Sequence, residues 1–194
     1  MRQVYFAFLA AGLLCFCRPQ APAADSGLSE YTADGAMFSV RLPAAWSRSE
    51  ALTARRQLRQ YGVDAVGPGD NAGGYPRISV MYYAKGHKQF RTPEKYVAMN
   101  SRPSGFSPLK GEKFTAVGNA RAAGRAAKKI EALRVEFLPP HGAKPKRVSF
   151  FQRQLVLPGR SGGFYVLEYY APLDAAKKYL PLFEAVVGTF KPNM

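Results

Sequence analysis

Hydrophobic and polar positions alternate most regularly between residues 147 and 191. The segments RVSFFQRQLVLP, GRSG, GFYVLEYYAP and DAAKKYLPLFEAVVGTFK read in turn as strand, tight turn, strand and helix. In the second strand Tyr165, Leu167, Tyr169 and Ala171 share one face and Glu168 lies on the other, as the period of two requires. The closing helix is expected over 174–188, with Asp174 at its cap. Pro181 requires that helix to kink or to restart, because the ring clashes with the preceding turn. Leu182, Phe183, Val186 and Val187 form an apolar stripe at helical spacing.

The rest of the chain repeats the theme less regularly. Asp34-Gly35 is a hairpin signal, and Phe38, Val40 and Leu42 alternate with Ser39 and Arg41 up to Pro43, which ends pairing. Trp46, the one tryptophan, reads as a packing anchor at the sheet edge rather than a ligand platform. Residues 49–60 read as a short helix capped by Ser49, with Leu52 and Leu58 as sparse apolar positions. Strands follow at 62–66 and 77–84. Between them, GPGDNAGGYP is a hairpin connection, since it lacks the Gly-Lys-Ser/Thr ending of a phosphate loop. Thr92-Pro93-Glu94 opens a helix over 93–100, with Tyr96 and Val97 toward the sheet. A short strand is expected at 113–117. Residues 119–137 are ambiguous: ARAAGRAAKK has helical composition, but Gly124 and the missing apolar stripe oppose a buried helix. From Ile130 alternation returns, and HGAKPK forms the tip of a long hairpin.

The apolar run at 4–17, after Arg2, has the length of a secretory leader and is short for a membrane span. Ala21-Pro22-Ala23 fits the small-x-small cleavage rule. The expected organisation is therefore a signal peptide over 1–23, cut after Ala23 or alternatively Ala24, a polar lead-in at 24–29, and one domain over 30–192; an uncut leader would instead serve as a membrane anchor. Both cysteines, Cys15 and Cys17, lie in the leader, so the mature domain has neither disulfide nor thiol chemistry. Of 28 Lys and Arg the leader takes Arg2 and Arg18, and of 13 acids it takes none, which leaves the mature chain at +13. Such a charge favours anionic partners, namely envelope polymers, lipid headgroups or acidic proteins. Export disfavours nucleic acid as a physiological partner.

Catalytic chemistry finds little support. His87 and His141 lie in polar basic segments and read as surface loop residues, too few for a zinc set. No serine stands in a Gly-x-Ser-x-Gly elbow. Glu131, Glu136 and Glu168 read as cross-strand partners of Arg134, Arg147 or Arg153. No catalytic residue, metal ligand or cofactor is assigned, although a hydrolase of unrecognised type stays as an alternative. Three basic clusters stand out: Lys85, Lys88 and Arg91; Arg121, Arg125, Lys128 and Lys129; and Lys144, Lys146 and Arg147. The third, joined by Arg160, is the candidate rim for an anionic partner.

The pattern F-S-V-R-L-P-x-x-W at 38–46, with G-F-Y-V-L-x-Y-x-A-P at 163–172 and F-x-x-V-V-x-T-F-K at 183–191, resembles the PsbP-like family of the Mog1/PsbP superfamily. The resemblance implies an α+β fold, an α/β/α sandwich whose mainly antiparallel central sheet is flanked by helices. It also implies a binding or assembly role rather than turnover, here that of an exported adaptor in the periplasm or outside the cell with a protein partner in the envelope. The alternative is a binder of anionic envelope polymers or lipid headgroups through the basic loops. No partner-specific residues carry over from the family.

Overall fold

A computed structural model of the chain describes residues 27–69, 74–103, 105, 107–138 and 144–193. Strands β1 (Leu28–Thr32) and β2 (Phe38–Pro43) pair antiparallel around a tight turn at Asp34-Gly35, where Gly35 takes a φ of +67°. β1 thus reaches back into the segment read as a polar lead-in. Phe38, Val40 and Leu42 turn inward and are buried. The remaining elements are β3 (Ser47–Glu50), α1 (Leu52–Leu58), β4 (Gln60–Val66), β5 (Arg77–Tyr83), α2 (Pro93–Asn100), β6 (Lys113–Phe114), β7 (Gly118–Ala122), β8 (Arg125–Leu138), β9 (Lys146–Pro158), β10 (Phe164–Pro172), α3 (Leu173–Thr189) and β11 (Lys191–Pro192). β11 pairs with β2, so the end of the domain closes on its beginning in a three-stranded sheet. The larger sheet has the order β3-β4-β5-β10-β9-β8-β6, with β7 beside the start of β8, and its pairings are antiparallel.

β10 lies at the centre of that sheet and both its faces are covered. Tyr165, Leu167, Tyr169 and Ala171 are each 0% exposed and meet Phe183 and Val186 of α3, together with Val80 of β5 and Leu157 of β9. The phenols buried here find partners: Tyr165 donates to Met37 O at 3.0 Å and Tyr169 to Ala176 O at 2.8 Å. A buried hydroxyl without an acceptor would cost more than it contributes. Trp46 joins this core, edge-on to Tyr179 at 5.4 Å. On the opposite face a smaller cluster gathers Phe164 and Val166 of β10 with Met81, Tyr83, Ile130 and Val156 beneath Tyr96 of α2.

Several local expectations change. Ser49 is no helix cap; it pairs with Asp64 inside β3, and α1 starts at Leu52 behind Ala51, which makes no side-chain cap. Edge pairing with β4 outweighs the weak helical pattern, whose Leu52 remains 49% exposed. Asp174 sits in the first turn of α3 but does not cap it; the helix begins directly after Pro172. There the aspartate still faces the positive end of the helix dipole. α3 runs unbroken through Pro181, whose missing N–H forfeits one helical bond; burial of Phe183, Val186 and Val187 just beyond it holds the helix to the sheet. The expected strand at 113–117 shrinks to Lys113–Phe114.

The ambiguous stretch is a hairpin. β7 and β8 join through Ala123 and Gly124, with φ of +49° and +70°. Positive φ at both central residues is the two-residue turn whose twist suits strands. Alanine prefers helix in isolation, but pairing of β8 with β7 and with β9 decides its conformation here.

His87 also departs from expectation. It is 1% exposed, not a surface histidine. Its ring lies against Tyr83 and Phe90 at 5.0 and 5.8 Å, and its Nδ1 accepts the Phe90 N–H at 3.0 Å. An Nδ1 that accepts leaves the proton on Nε2, so the imidazole is neutral. Burial lowers its pKa below 6.5. Lys85 and Lys88 of the same loop stay exposed.

Two tests follow from this packing. A Cβ at Gly62 would lie 2.3 Å from Val80 O and 2.9 Å from Met81 Cα, whereas at Gly188 it meets nothing within 4 Å. Gly62→Ala should therefore lower the unfolding free energy by about 1–3 kcal/mol, and Gly188→Ala should raise it by about 0.5–1 kcal/mol, as read from urea titrations. For His87 the unfolded chain titrates near 6.5 and the folded chain lower. Its contribution is complete above pH 6.5 and is lost as pH falls from 6.5 toward the folded value, with a slope of at most about 1.4 kcal/mol per pH unit. His87→Asn keeps an acceptor for Phe90 and does not titrate, so its stability should fall less between pH 7 and 5.5; parallel curves would refute the assignment.

Candidate functional site

Alternation places Phe164, Val166, Glu168 and Tyr170 of β10 on the face that carries α2. Eight residues make α2 about 12 Å long, while seven strands at about 4.8 Å spacing span roughly 29 Å. One helix of that length therefore covers only part of this face.

The part beyond α2 is polar and aromatic, with Ser79, Gln152 and Gln154 buried in it. Glu168 is its hub, with a side chain 15% exposed. Its Oε1 accepts from Gln152 Nε2 at 2.5 Å and from Gln154 Nε2 at 2.9 Å, and its Oε2 lies 3.6 Å from Arg77 Nη2. Gln152 Oε1 in turn accepts from Arg134 Nε at 2.9 Å. Arg134 also donates to Asn100 O at 3.0 Å and lies over the Phe114 ring, so it ties the end of α2 to the sheet. Ser79 bonds to Asp64, whose Oδ1 is 4.0 Å from Arg77 Nε. Each strand residue reaches its neighbour across the ladder, the spacing at which cross-strand pairs interact.

At one end this strip opens into a cleft of about 250 Å³, lined by Val66, Gly74, Tyr75, Arg77, Phe150 and Tyr170, among others. Tyr75 is 58% exposed. The Phe150 and Tyr170 rings stack at 4.8 Å, and the Arg77 guanidinium stands 5.5 Å from the Tyr170 ring centre. Tyr170 donates its hydroxyl proton to Glu136 at 2.5 Å. Burial first, and the neighbouring Glu136 next, push this phenol far above its ordinary pKa, so it stays protonated and acts as a donor. Glu168 is held by two amides and a guanidinium, and Glu136 by a phenol. Among the described residues, no three His, Cys, Asp or Glu side chains are grouped to hold a metal. The arrangement suits recognition: rings for apolar contact, a guanidinium and a carboxylate for orientation.

The basic positions expected to form one rim are separated. Lys144 and Lys146 are exposed where β9 begins, and Lys146 faces the same side as Leu138 and the cleft. Arg147, the next strand residue, points to the opposite side, and its guanidinium lies against Gly111. Arg160 follows Pro158 at the far end of β9, about 40 Å along the strand. Consecutive strand positions alternate, and hairpin turns fall at opposite ends of a strand, so proximity in sequence does not become a patch. Arg160 instead shares its end of the sheet with Lys85, whose stem lies over Gly162, and with Arg59, which donates to Lys85 O. His141, Ala23 and Ala24 lie outside the described residues. Of the expected ion pairs, Glu131 meets Arg153 at 2.7 Å, directly opposite in register, whereas Glu136 and Glu168 take the partners given above. Sequence reasoning missed Tyr75, Arg77, Gln152, Gln154 and Tyr170. The available signal was the alternation of Gln152 and Gln154 opposite Glu168 within otherwise apolar strands.

No protein-family model matches the sequence, and no curated protein matches it. Several solved structures are similar to it, two of them as follows. One is the crystal structure of LpqN, involved in cell envelope biogenesis of Mycobacterium tuberculosis, at 17% identity and a TM-score of 0.44, covering 88% of this chain and 88% of that one. The other is the solution structure of the cyanobacterial PsbP (CyanoP) from Synechocystis sp. PCC 6803, at 11% identity and a TM-score of 0.45, covering 91% of this chain and 98% of that one. The mainly antiparallel sheet with helices on its faces is the α+β architecture implied by the resemblance to the PsbP-like family.

Proposed function

We propose that this chain is an exported, non-enzymatic binding protein of the cell envelope that works by contact with another protein through its half-covered face. The observation that carries this reading is the composition of the cleft. Tyr75, Tyr170 and Arg77 converge on one concavity, and tyrosine and arginine are the residue types that dominate binding energy at protein interfaces. The cleft has the size to receive an anchoring side chain. Lys146 on the same side would draw a partner whose rim is acidic. The leader-like run at 4–17 supports export. Among the described residues no helix is long and apolar enough to cross a membrane.

The test is recovery of partners from the native envelope fraction by wild-type chain, Tyr75→Ala and Lys177→Ala, the last an exposed position on α3. A partner held through the cleft should be retained by wild type and Lys177→Ala in about 0.5 M salt, where charge-only contacts are screened. Tyr75→Ala should reduce its recovery about 30-fold, the loss expected from a hot spot of about 2 kcal/mol. Equal recovery by Tyr75→Ala, or loss of every partner in salt from wild type, would overturn the reading.

A further inference from the structure

On the other side of α2 lies a second concavity, of about 510 Å³. Val97 and Ala98 of α2 form one wall; Ala120 of β7, Ala126 and Ala127 of β8 and Val156 of β9 form the other and the floor. It exists because the alanine-rich segment folds as a hairpin: its methyl groups are too small to fill the space beside the helix. Val117 at its margin is 39% exposed. The volume is that of a small-molecule site. None of its lining residues is aromatic, so it has no ring on which a sugar or a base would stack, and its walls suit an aliphatic chain.

The hairpin side of this groove is cationic. Lys128 lines it and donates to Asn119 Oδ1 at 2.8 Å. Arg121, opposite Ala126 in register, donates to Gly124 O at 2.8 Å, and Arg125, which points to the other face of the sheet, donates to Pro158 O at 2.7 Å. These acceptors are neutral. Among the described residues the carboxylate ion pairs go to Arg77, Lys129 and Arg153, not to these three cations. Glu94 stands on the α2 wall, so an anionic head is directed to the hairpin side. An apolar trough with uncompensated cations at its margin is complementary to a single aliphatic chain ending in an anion.

We infer that this groove binds a fatty-acid anion, with the chain along Val97, Ala98, Ala126 and Val156 and the carboxylate at Lys128, beside Arg121, whose register partner is Ala126. The site shares no residue with the Tyr75 cleft, so it stands or falls apart from the protein-contact reading.

The experiment is calorimetric titration of the full mature chain with dodecanoate below its micelle-forming concentration, with dodecanol and dodecyl phosphate as companion ligands. Saturable binding at one site per chain is expected, at least tenfold tighter for dodecanoate than for dodecanol. Ala126→Phe and Ala98→Phe fill the groove from its two walls at exposed positions, and each should weaken binding at least tenfold. The double variant Arg121→Glu, Lys128→Glu should abolish the preference for dodecanoate over dodecanol. Tyr75→Ala should bind dodecanoate as wild type does. Circular dichroism identifies any variant that fails to fold, and the second filling variant then decides. Absence of dodecanoate binding, unchanged binding by folded filling variants, or equal affinity for dodecanol would each overturn the proposal. A tenfold preference for dodecyl phosphate would overturn the carboxylate assignment.

Discussion

A carboxylate on the central strand of the sheet has to be solvated by the protein itself, and the design of one whole face follows from that. Glu168 is flanked in β10 by Leu167 and Tyr169, both fully buried on the α3 side. It cannot turn away without a register slip that would bring those residues out of the core. An unpaired charge at such a depth would cost several kcal/mol. The neighbouring strands answer with Gln152 and Gln154 from β9 and Arg77 from β5. Gln152 then engages Arg134, and Arg134 the end of α2. A polar chain laid across the middle of the sheet leaves little apolar surface for a second long helix to bury, so α2 is short and the face stays half covered.

The two faces accordingly hold the domain together in different ways. On the α3 side stability comes from apolar burial, with Tyr165 and Tyr169 satisfied at their tips. On the α2 side the aromatic cluster of Tyr83, Tyr96 and Phe164 anchors one end, and hydrogen bonds to charged groups, worth more each than neutral ones, hold the other. His87 belongs to the aromatic end. There its neutral ring packs against Tyr83 and Phe90, while its Nδ1 accepts the Phe90 N–H.

What the sequence revealed was whatever depends on local period and local chemistry. Phe38, Val40 and Leu42, the odd positions of β10, and the Thr92 cap, which accepts from Lys95 N at 3.2 Å, are each decided within a few residues. The errors share a cause in non-local pairing. Ser49 is polar in a short, sparsely apolar window, and the partner that makes it a strand lies in β4. The alanine-rich segment becomes a hairpin because β9 is alongside. His87 is buried against Tyr83 and Phe90, which neighbouring charges in the sequence do not reveal. Arg160 and Lys146 look close in a list of basic residues, yet a whole strand separates them. The cleft was the least legible feature, because Tyr75, Arg77, Phe150 and Tyr170 come from three separate stretches and meet only through the order β5-β10-β9.

The shortness of α2 connects both concavities. Eight residues are too few for a helix to persist on its own in water. It is fixed at its start by Thr92, at its middle by Tyr96 against Phe164, and at its end by Arg134 on Asn100 O. Its other exposed side forms the wall of the apolar groove through Val97 and Ala98. The groove is therefore no firmer than those three attachments. One of them, Arg134, also bonds Gln152, which bonds Glu168, and so belongs to the network that reaches Arg77 at the cleft. Both concavities beside α2 exist because that short, lightly held helix covers so little of the sheet.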